Sequence, residues 1–291
     1  MKPAPFRYVS AHTLEQALAL KAEHGEEARF IAGGQSLVPA LNFRLAQPAL
    51  LIDINPLRAF AGVVEGEPGT LRIGALTRYR TLERDPATQR HLPLVREALP
   101  HIAHPQIRNR GTIGGNLAHA DPASEMPAIV VALAGKLRAQ SRRGERWIAA
   151  ADFFLGALST ALEADEMLTD VVLPVARPRS GACFMEVARR RGDYALMGVA
   201  CTVEIDDGRC ADARIALCNA GDTPILAGEA GRSLVGQTVG GRAIDEAVDL
   251  VRRAIEPGGS IHASKDFQRH LAGVLTQRAL TAAIGRARRD H

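Results

Sequence analysis

Two glycine-rich segments carry the residues most suited to chemistry, Ile31-Ala-Gly-Gly-Gln-Ser36 and Gly111-Thr-Ile-Gly-Gly-Asn116. Adjacent glycines have no side chains to hold a ligand away from the backbone, so several N–H groups can converge on one anion. A diphosphate suits that geometry, and a side chain added at Gly33 or Gly114 is expected to occupy its space. Ser36 and Thr112 add hydroxyl donors, and Ser36 stands where a helix is predicted to begin, which favours negative charge. Neither segment is Gly-x-Gly-x-x-Gly, and no Gly-x-x-x-x-Gly-Lys-Ser/Thr occurs. The usual dinucleotide and nucleoside-triphosphate loops are therefore excluded, and a different dinucleotide fold is required.

The second segment runs on to Asp121 and Glu125, one turn apart at the entrance of a helix predicted over 122–133. Carboxylates there can accept hydrogen bonds from ribose or ribityl hydroxyls. Capping and dipole stabilisation of the helix is the other reading. His101, His104 and His119 match no familiar zinc spacing, and no metal site is assigned. Cys183, Cys201, Cys210 and Cys218 fit no Cys-x-x-Cys pattern and read as small buried hydrophobes.

The elements that must position these groups are legible in part. Thr13 to Gln16 reads as a capping box, and Leu14, Ala17, Leu18 and Lys21 continue at helical spacing until Gly25. A short strand over 29–32, the glycine turn, a helix opening at 36 and a buried strand over 50–54 make residues 1–55 a small βαβ-type unit with a parallel pair. Residues 56–177 read as mainly antiparallel. They hold strands over 71–75 and 168–173, a hairpin across Arg142-Arg143-Gly144 within 136–149, and helices over 92–99 and 122–133. The run from Val175 to Gly181 marks a boundary, giving domains of 1–177 and 178–291. The second domain is expected to hold three strands, over 183–188, 199–205 and 213–218, then helices over 244–255 and 267–287.

Composition bounds the rest. The chain has 291 residues, 46% hydrophobic and 23% charged, which is ordinary for a folded protein and too long for one small core. Its longest apolar stretches fall far short of the roughly 20 residues of a spanning helix, and the first residues lack the apolar core of a secretory leader. A cytoplasmic address is the expectation. Net charge is +4, with arginines spread along the chain and no aromatic interleaving in Arg142-Arg143 or Arg189-Arg190-Arg191. Nucleic acid is not an expected partner.

Four segments together resemble a known family. Ala32-Gly-Gly-Gln-Ser-Leu37, His104-Pro-Gln-Ile-Arg-Asn-Arg-Gly-Thr-Ile-Gly-Gly-Asn116, Ala120-Asp-Pro-Ala-Ser-Glu125 and Arg189-Arg-Arg-Gly-Asp-Tyr-Ala195 resemble, in order, the FAD-binding medium subunit of molybdenum hydroxylases, which include xanthine dehydrogenases and aerobic carbon monoxide dehydrogenase. The resemblance implies an α+β fold: a vanillyl-alcohol-oxidase-type (PCMH-like) FAD-binding domain followed by a carbon monoxide dehydrogenase flavoprotein-like C-terminal domain, a three-stranded antiparallel sheet plus helices. It implies that Phe30, Ile31, Ala32, Gly33, Gly34, Gln35, Ser36 and Leu37 form one FAD loop and Thr112, Ile113, Gly114, Gly115 and Asn116 the other. Ile102 would line the pocket, Glu125 would serve as an acidic hydroxyl ligand beside the Asp121 already singled out, Leu168 would touch the flavin, and Tyr194 would lie near its ring.

By the same resemblance the subunit relays electrons from iron–sulfur clusters through FAD to NAD, a quinone or oxygen. It holds no general acid, base or nucleophile of its own. Its partners would be a molybdenum-cofactor large subunit and a [2Fe-2S] small subunit, in a dimer of heterotrimers. Xanthine dehydrogenases carry a lysine before the Arg-Arg segment, where this chain has Met185-Glu186, so an NAD site does not carry over. Two alternatives stay open on the residues themselves: a stand-alone flavin oxidoreductase of the same fold, or a phosphate-loop binding module without redox chemistry.

Overall fold

Thr13 opens the first helix as its place in the sequence requires. Its hydroxyl accepts the Gln16 N–H at 3.1 Å, and the Gln16 side chain reaches back to the His12 N–H at 2.9 Å. The computed structural model describes residues 2–289, so the last two residues of the second predicted domain lie outside the described residues. This helix, α1, follows a strand that the sequence pattern had not suggested: β1 (Arg7–Ser10) precedes α1 (Leu14–His24). Gly25 ends α1 at φ 50°, and the buried Lys21 donates to the Gly25 and Ala28 carbonyls at 2.5 and 2.7 Å. After β2 (Ala28–Ile31), α2 (Leu37–Asn42) and β3 (Leu50–Asp53), the three strands pair in parallel in the order β1-β3-β2. The expected pair is present. The third strand was illegible because β1 is an edge without a single buried side chain.

A second layer follows through β4 (Val63–Glu65), β5 (Thr70–Gly74), α3 (Tyr79–Leu82), α4 (Pro86–His91), α5 (Pro93–Ala98), α6 (Pro105–Arg108), α7 (Ile113–His119) and α8 (Glu125–Ala132). It continues with β6 (Lys136–Ser141), β7 (Gly144–Ala149), α9 (Ala150–Phe153), β8 (Phe154–Gly156), β9 (Ser159–Thr160) and β10 (Met167–Pro174). Five of these strands form an antiparallel sheet, β4-β5-β10-β6-β7, in which Ser141 faces Gly144 across the Arg142-Arg143 turn. Helix α8 starts at Glu125 rather than at Pro122. The Asp121 carboxylate takes the Ala123 N–H at 2.9 Å and folds the preceding residues into a turn, while the Pro122 carbonyl accepts from Asn219.

Beyond Pro174 the chain enters a four-stranded sheet of β11 (Ser180–Ala188), β12 (Ala195–Asp206), β13 (Arg209–Cys218) and β14 (Ile225–Leu226). Three long antiparallel strands are present as expected, and the two-residue β14 adds a fourth. Then come α10 (Gly228–Leu234), α11 (Gly241–Ala254) and α12 (Lys265–Ala287). Strand alternation splits this sheet between two cores. Cys183, Cys201, Ile215 and Leu217 face the core under α10 and α12, on which α11 packs in turn, whereas Ala182, Phe184, Ala200, Ala216 and Cys218 join the core of the preceding domain. All four cysteines are buried and unpaired, behaving as the small hydrophobes anticipated.

The apolar helix α8, buried along its whole length, lies between the two domains and touches β12, β13, α5 and α7. Polar stitches cross the same seam. Arg214 donates to the Val131 and Ala132 carbonyls at the C-terminus of α8, at 3.0 and 2.7 Å. The Glu97 carboxylate accepts from the Phe184 N–H and from both terminal nitrogens of Arg286. Among the described residues no helix is long and apolar enough to cross a membrane.

Candidate FAD site at the seam of two glycine loops

The two glycine segments, far apart in sequence, touch. A Cβ built on Gly33 would overlap the Arg110 carbonyl oxygen and stand 2.9 Å from the Gly111 Cα, so only glycine allows the loops to meet. A chain of polar contacts ties them. Asn55 donates to the Ala32 carbonyl at 2.9 Å, and Arg78 donates to both the Asn55 amide oxygen and the Arg110 carbonyl. A cleft of about 490 Å³ opens beside this tie, lined by Asp53, Asn55, Arg58, Thr77, Arg78 and Arg110 among others. Three guanidinium groups there face one carboxylate, and Asp53 already accepts from Tyr8 and Asn55.

The loops are not equivalent donors, which corrects the expectation that both converge amides on one anion. In the second loop the N–H groups of Ile113 to Asn116 are spent. Ile113 donates to Thr77, Gly114 to Ala75 at 2.8 Å, Gly115 to the Thr112 hydroxyl at 3.1 Å, and Asn116 to the Thr112 carbonyl. A Cβ on Gly114 would overlap Ala75 rather than fill ligand space, so this glycine answers to packing. In the first loop, by contrast, the N–H groups of Gly33, Gly34, Gln35, Ser36 and Leu37 find no acceptor among the described residues. Gly34 takes φ 71°, a left-handed conformation that suits glycine and turns the backbone there. Ser36 does not cap α2: it lies in helical conformation with no side-chain cap bond, and α2 is only six residues long. Its hydroxyl is a donor, but the helix terminus adds little.

Acceptors come from the second loop and its continuation. Asn116 donates to the Ser124 hydroxyl at 3.1 Å, while its own amide oxygen is buried without a partner. A buried acceptor without a donor is costly unless a ligand supplies one. The Tyr79 hydroxyl is likewise buried and unpartnered, and its ring lies beneath Gly111. Glu125, 5% exposed, is pushed up to about 7, first by burial and then by the Glu186 and Asp121 carboxylates, against its own N–H and the His101 ring. Asp121 serves its own turn rather than capping α8 and remains half-buried.

Other predicted residues frame these groups. Phe30 and Ile31 close β2 into the first loop, half-buried. Ile102 and Leu168 are both buried in one apolar core. Tyr194, 58% exposed, follows β11 in a turn; its phenol is pushed up to about 12 by partial desolvation and then by the Asp121 carboxylate. Of the three histidines weighed for a metal, His101 pairs with Glu186 and His104 packs under Gly192, so they serve the domain seam separately. Asn55, Arg78, Tyr79 and Glu186 had no sequence signal beyond their types. Only Asn55, standing directly after a strand, is of a kind that commonly bonds nearby backbone.

An array of free amides facing hydroxyl-seeking acceptors fits a dinucleotide cofactor, with anionic and polyhydroxylated parts. Residues 4–176 match the family described as FAD binding domain in molybdopterin dehydrogenase, and residues 182–283 match CO dehydrogenase flavoprotein C-terminal domain. The chain is 41% identical to the 6-hydroxypseudooxynicotine dehydrogenase complex subunit alpha of Paenarthrobacter nicotinovorans, over 99% of this chain and 97% of that one. It is 36% identical to the carbon monoxide dehydrogenase medium chain of Afipia carboxidovorans, over 99% and 100%. The solved carbon monoxide dehydrogenase from Hydrogenophaga pseudoflava superposes with a TM-score of 0.96 at 36% identity, covering 98% of this chain and 99% of that one. The α+β fold and the FAD cofactor read from the sequence are both borne out. This chain is a member of the FAD-binding flavoprotein subunits of molybdenum hydroxylases of the carbon monoxide dehydrogenase and xanthine dehydrogenase type.

Proposed function

We propose that the five free amides of Gly33 to Leu37 bind the FAD diphosphate, with Thr112 and Asn116 closing over it from the second loop. The single observation behind this reading is the pairing of that unsatisfied donor array with the orphaned Asn116 oxygen across a seam where the loops touch. Glu125 and Asp121 then accept from cofactor hydroxyls, Ile102 and Leu168 supply apolar wall, and Tyr194 covers the ring. The bound flavin takes up and gives back electrons in ones or twos, and the chain's part is to hold and tune it.

Donors and acceptors of those electrons lie elsewhere in this reading. The four buried cysteines bring only Cys183 and Cys201 together, across β11 and β12, which is too few among the described residues to ligate an iron–sulfur cluster. Several of the similar proteins are medium or FAD-binding subunits by name, which supports a molybdenum-cofactor large subunit and a [2Fe-2S] small subunit as partners, in a dimer of heterotrimers. Electrons leave to NAD, a quinone or oxygen. Isolation from the native host, with flavin, metal and subunit analysis, tests this. One FAD per chain with both partners present is the expected result. A yellow chain without partners would favour a stand-alone flavin oxidoreductase, and a colourless one that takes up no FAD would refute the site.

A further inference from the structure

Near the Tyr194 turn the two domains meet over two buried acids, Glu125 and Glu186, and a partly exposed base, His101. Glu186 lies on the β11 face that Ala182 and Phe184 turn toward the FAD-binding domain, while Cys183 and Met185 face the helices of their own domain. Its side chain is 4% exposed, and Oε1 lies 3.3 Å from His101 Nδ1. Its second oxygen, Oε2, is buried with no hydrogen-bond partner among the described residues. Phe184 meets the His101 ring edge-on at 5.4 Å between centroids. Glu125, from α8 of the other domain, senses Glu186 and Asp121 as like charges and His101 as an opposite one. His101 is raised, chiefly by its bond to Glu186 and further by Glu125, while burial and Arg191 oppose. Tyr79, Tyr194 and Cys218 complete the titratable groups that sense Glu125.

We propose that His101 and Glu186 are positioning residues for the cofactor site: a pair across the domain seam, Glu186 buried and His101 partly exposed, that sets whether Glu125 holds a proton, so that FAD binding expels that proton to solvent. The inference rests on the reading that Glu125 accepts hydrogen bonds from cofactor hydroxyls. Glu125 is buried with only its own N–H to favour its charge, and the neutral acid is preferred. Hydroxyl donors from FAD stabilise the carboxylate, so its proton departs as they arrive. Whatever binding does to the proton, the proton does in reverse to binding. Removing His101 alone takes away the positive charge that opposes protonation of Glu125, which then holds its proton to higher pH. Removing both restores near-neutral surroundings.

The test uses the full chain stripped of FAD, titrated with FAD from about pH 5.5 to about pH 8.5, a range spanning ordinary His and raised Glu values. Flavin fluorescence reads affinity, and calorimetry in two buffers of different ionisation enthalpy counts protons. Affinity is expected to rise with pH and level off near 7, with close to one proton released per FAD at the acid end. His101→Gln should move the level-off point up by about one unit, and adding Glu186→Gln should bring it back. A pair that merely packs would change affinity by the same factor at every pH. The proposal is overturned if the wild-type chain releases no proton at the acid end, a measurement that needs no variant to fold, or if the level-off point of His101→Gln stays put. Glu125→Gln separates the two readings. If it keeps the wild-type proton count, the placement of Glu125 at the cofactor is wrong. If it abolishes the count while His101→Gln shifts nothing, that placement stands and the role of the pair falls.

Discussion

Gly33 is pressed against the Arg110 carbonyl, with the Gly111 Cα only 2.9 Å from where a Cβ would stand. Backbone cannot swing aside as a side chain can, so Gly33→Ala must push the two loops apart. The free amides would then lose their place relative to Asn116. At least a tenfold loss of FAD affinity is expected, about 1.4 kcal/mol, with circular dichroism unchanged. Gly115→Ala is the control. Its Cβ meets only the Thr112 hydroxyl, at 2.8 Å, and should cost about 1 kcal/mol of stability through the weakened cap with less effect on affinity. Equal flavin content in Gly33→Ala and wild type would show that the seam does not hold the cofactor.

Asn116 offers a test in which stability and binding part company. Its buried oxygen has no donor among the described residues, so Asn116→Ala removes an unsatisfied group along with one bond to Ser124. Thermal melting of the FAD-free chain should shift little. Affinity for FAD should fall about tenfold, the worth of one well-made hydrogen bond with its desolvation. A melting loss matching the affinity loss would make Asn116 structural.

How much of this was legible depended on whether a group's role is local. Thr13 with Gln16, Gly25 and the Arg142-Arg143 turn are settled by neighbours a few residues away, and each could be read from spacing. The glycine loops were legible as backbone that must come close to something, but not as to what. For Gly33 the neighbour is Arg110, and for Gly114 it is Ala75, both protein. The division of labour between loops was hidden for the same reason, because the acceptors that use up the second loop's amides, Thr77 and Ala75, lie on the chain beyond β5. Glu186 and His101 are 85 residues apart in numbering and on different domains, and no periodicity links them.

Glu125 should make the FAD-free chain less stable as pH rises. Its folded value of about 7 lies above the ordinary carboxylate value because burial disfavours its charge. Between the two values the folded chain holds a proton that the unfolded chain has lost, so stability falls with pH across that window and is level above it. The loss is on the order of 3 kcal/mol. His101, raised by Glu186, acts in the same direction: its contribution is present below the ordinary histidine value and fades as pH passes its folded value. Melting temperatures from about pH 5 to pH 8 should decline in the wild-type chain and flatten in Glu125→Gln. A rising curve would contradict the buried acid.

At the far side of the seam, Glu97 gathers the Phe184 N–H and both Arg286 terminal nitrogens, at 3.2, 2.7 and 2.9 Å. Glu97→Ala strands a partly buried guanidinium and a strand N–H together. A loss of about 2 kcal/mol in urea unfolding is expected, with both domains melting in one transition, because α8 still joins their cores. Separation into two transitions would mean that this ion pair, rather than the apolar packing, couples the domains.

Tyr194 is the most exposed of the aromatic residues set at the site, and nothing in the core needs it. Its value therefore lies in what it covers. Tyr194→Ala should leave melting of the FAD-free chain unchanged while weakening FAD binding by about 1 kcal/mol, the worth of an aromatic contact beyond its area. The bound flavin should also become easier to quench with iodide. Tyr194→Phe keeps the ring and loses only the hydroxyl that senses Asp121, so it should retain both affinity and shielding. If the phenylalanine variant behaves like the alanine one, the hydroxyl beside Asp121 is the working group and Tyr194 holds the site by hydrogen bonding rather than by covering the ring.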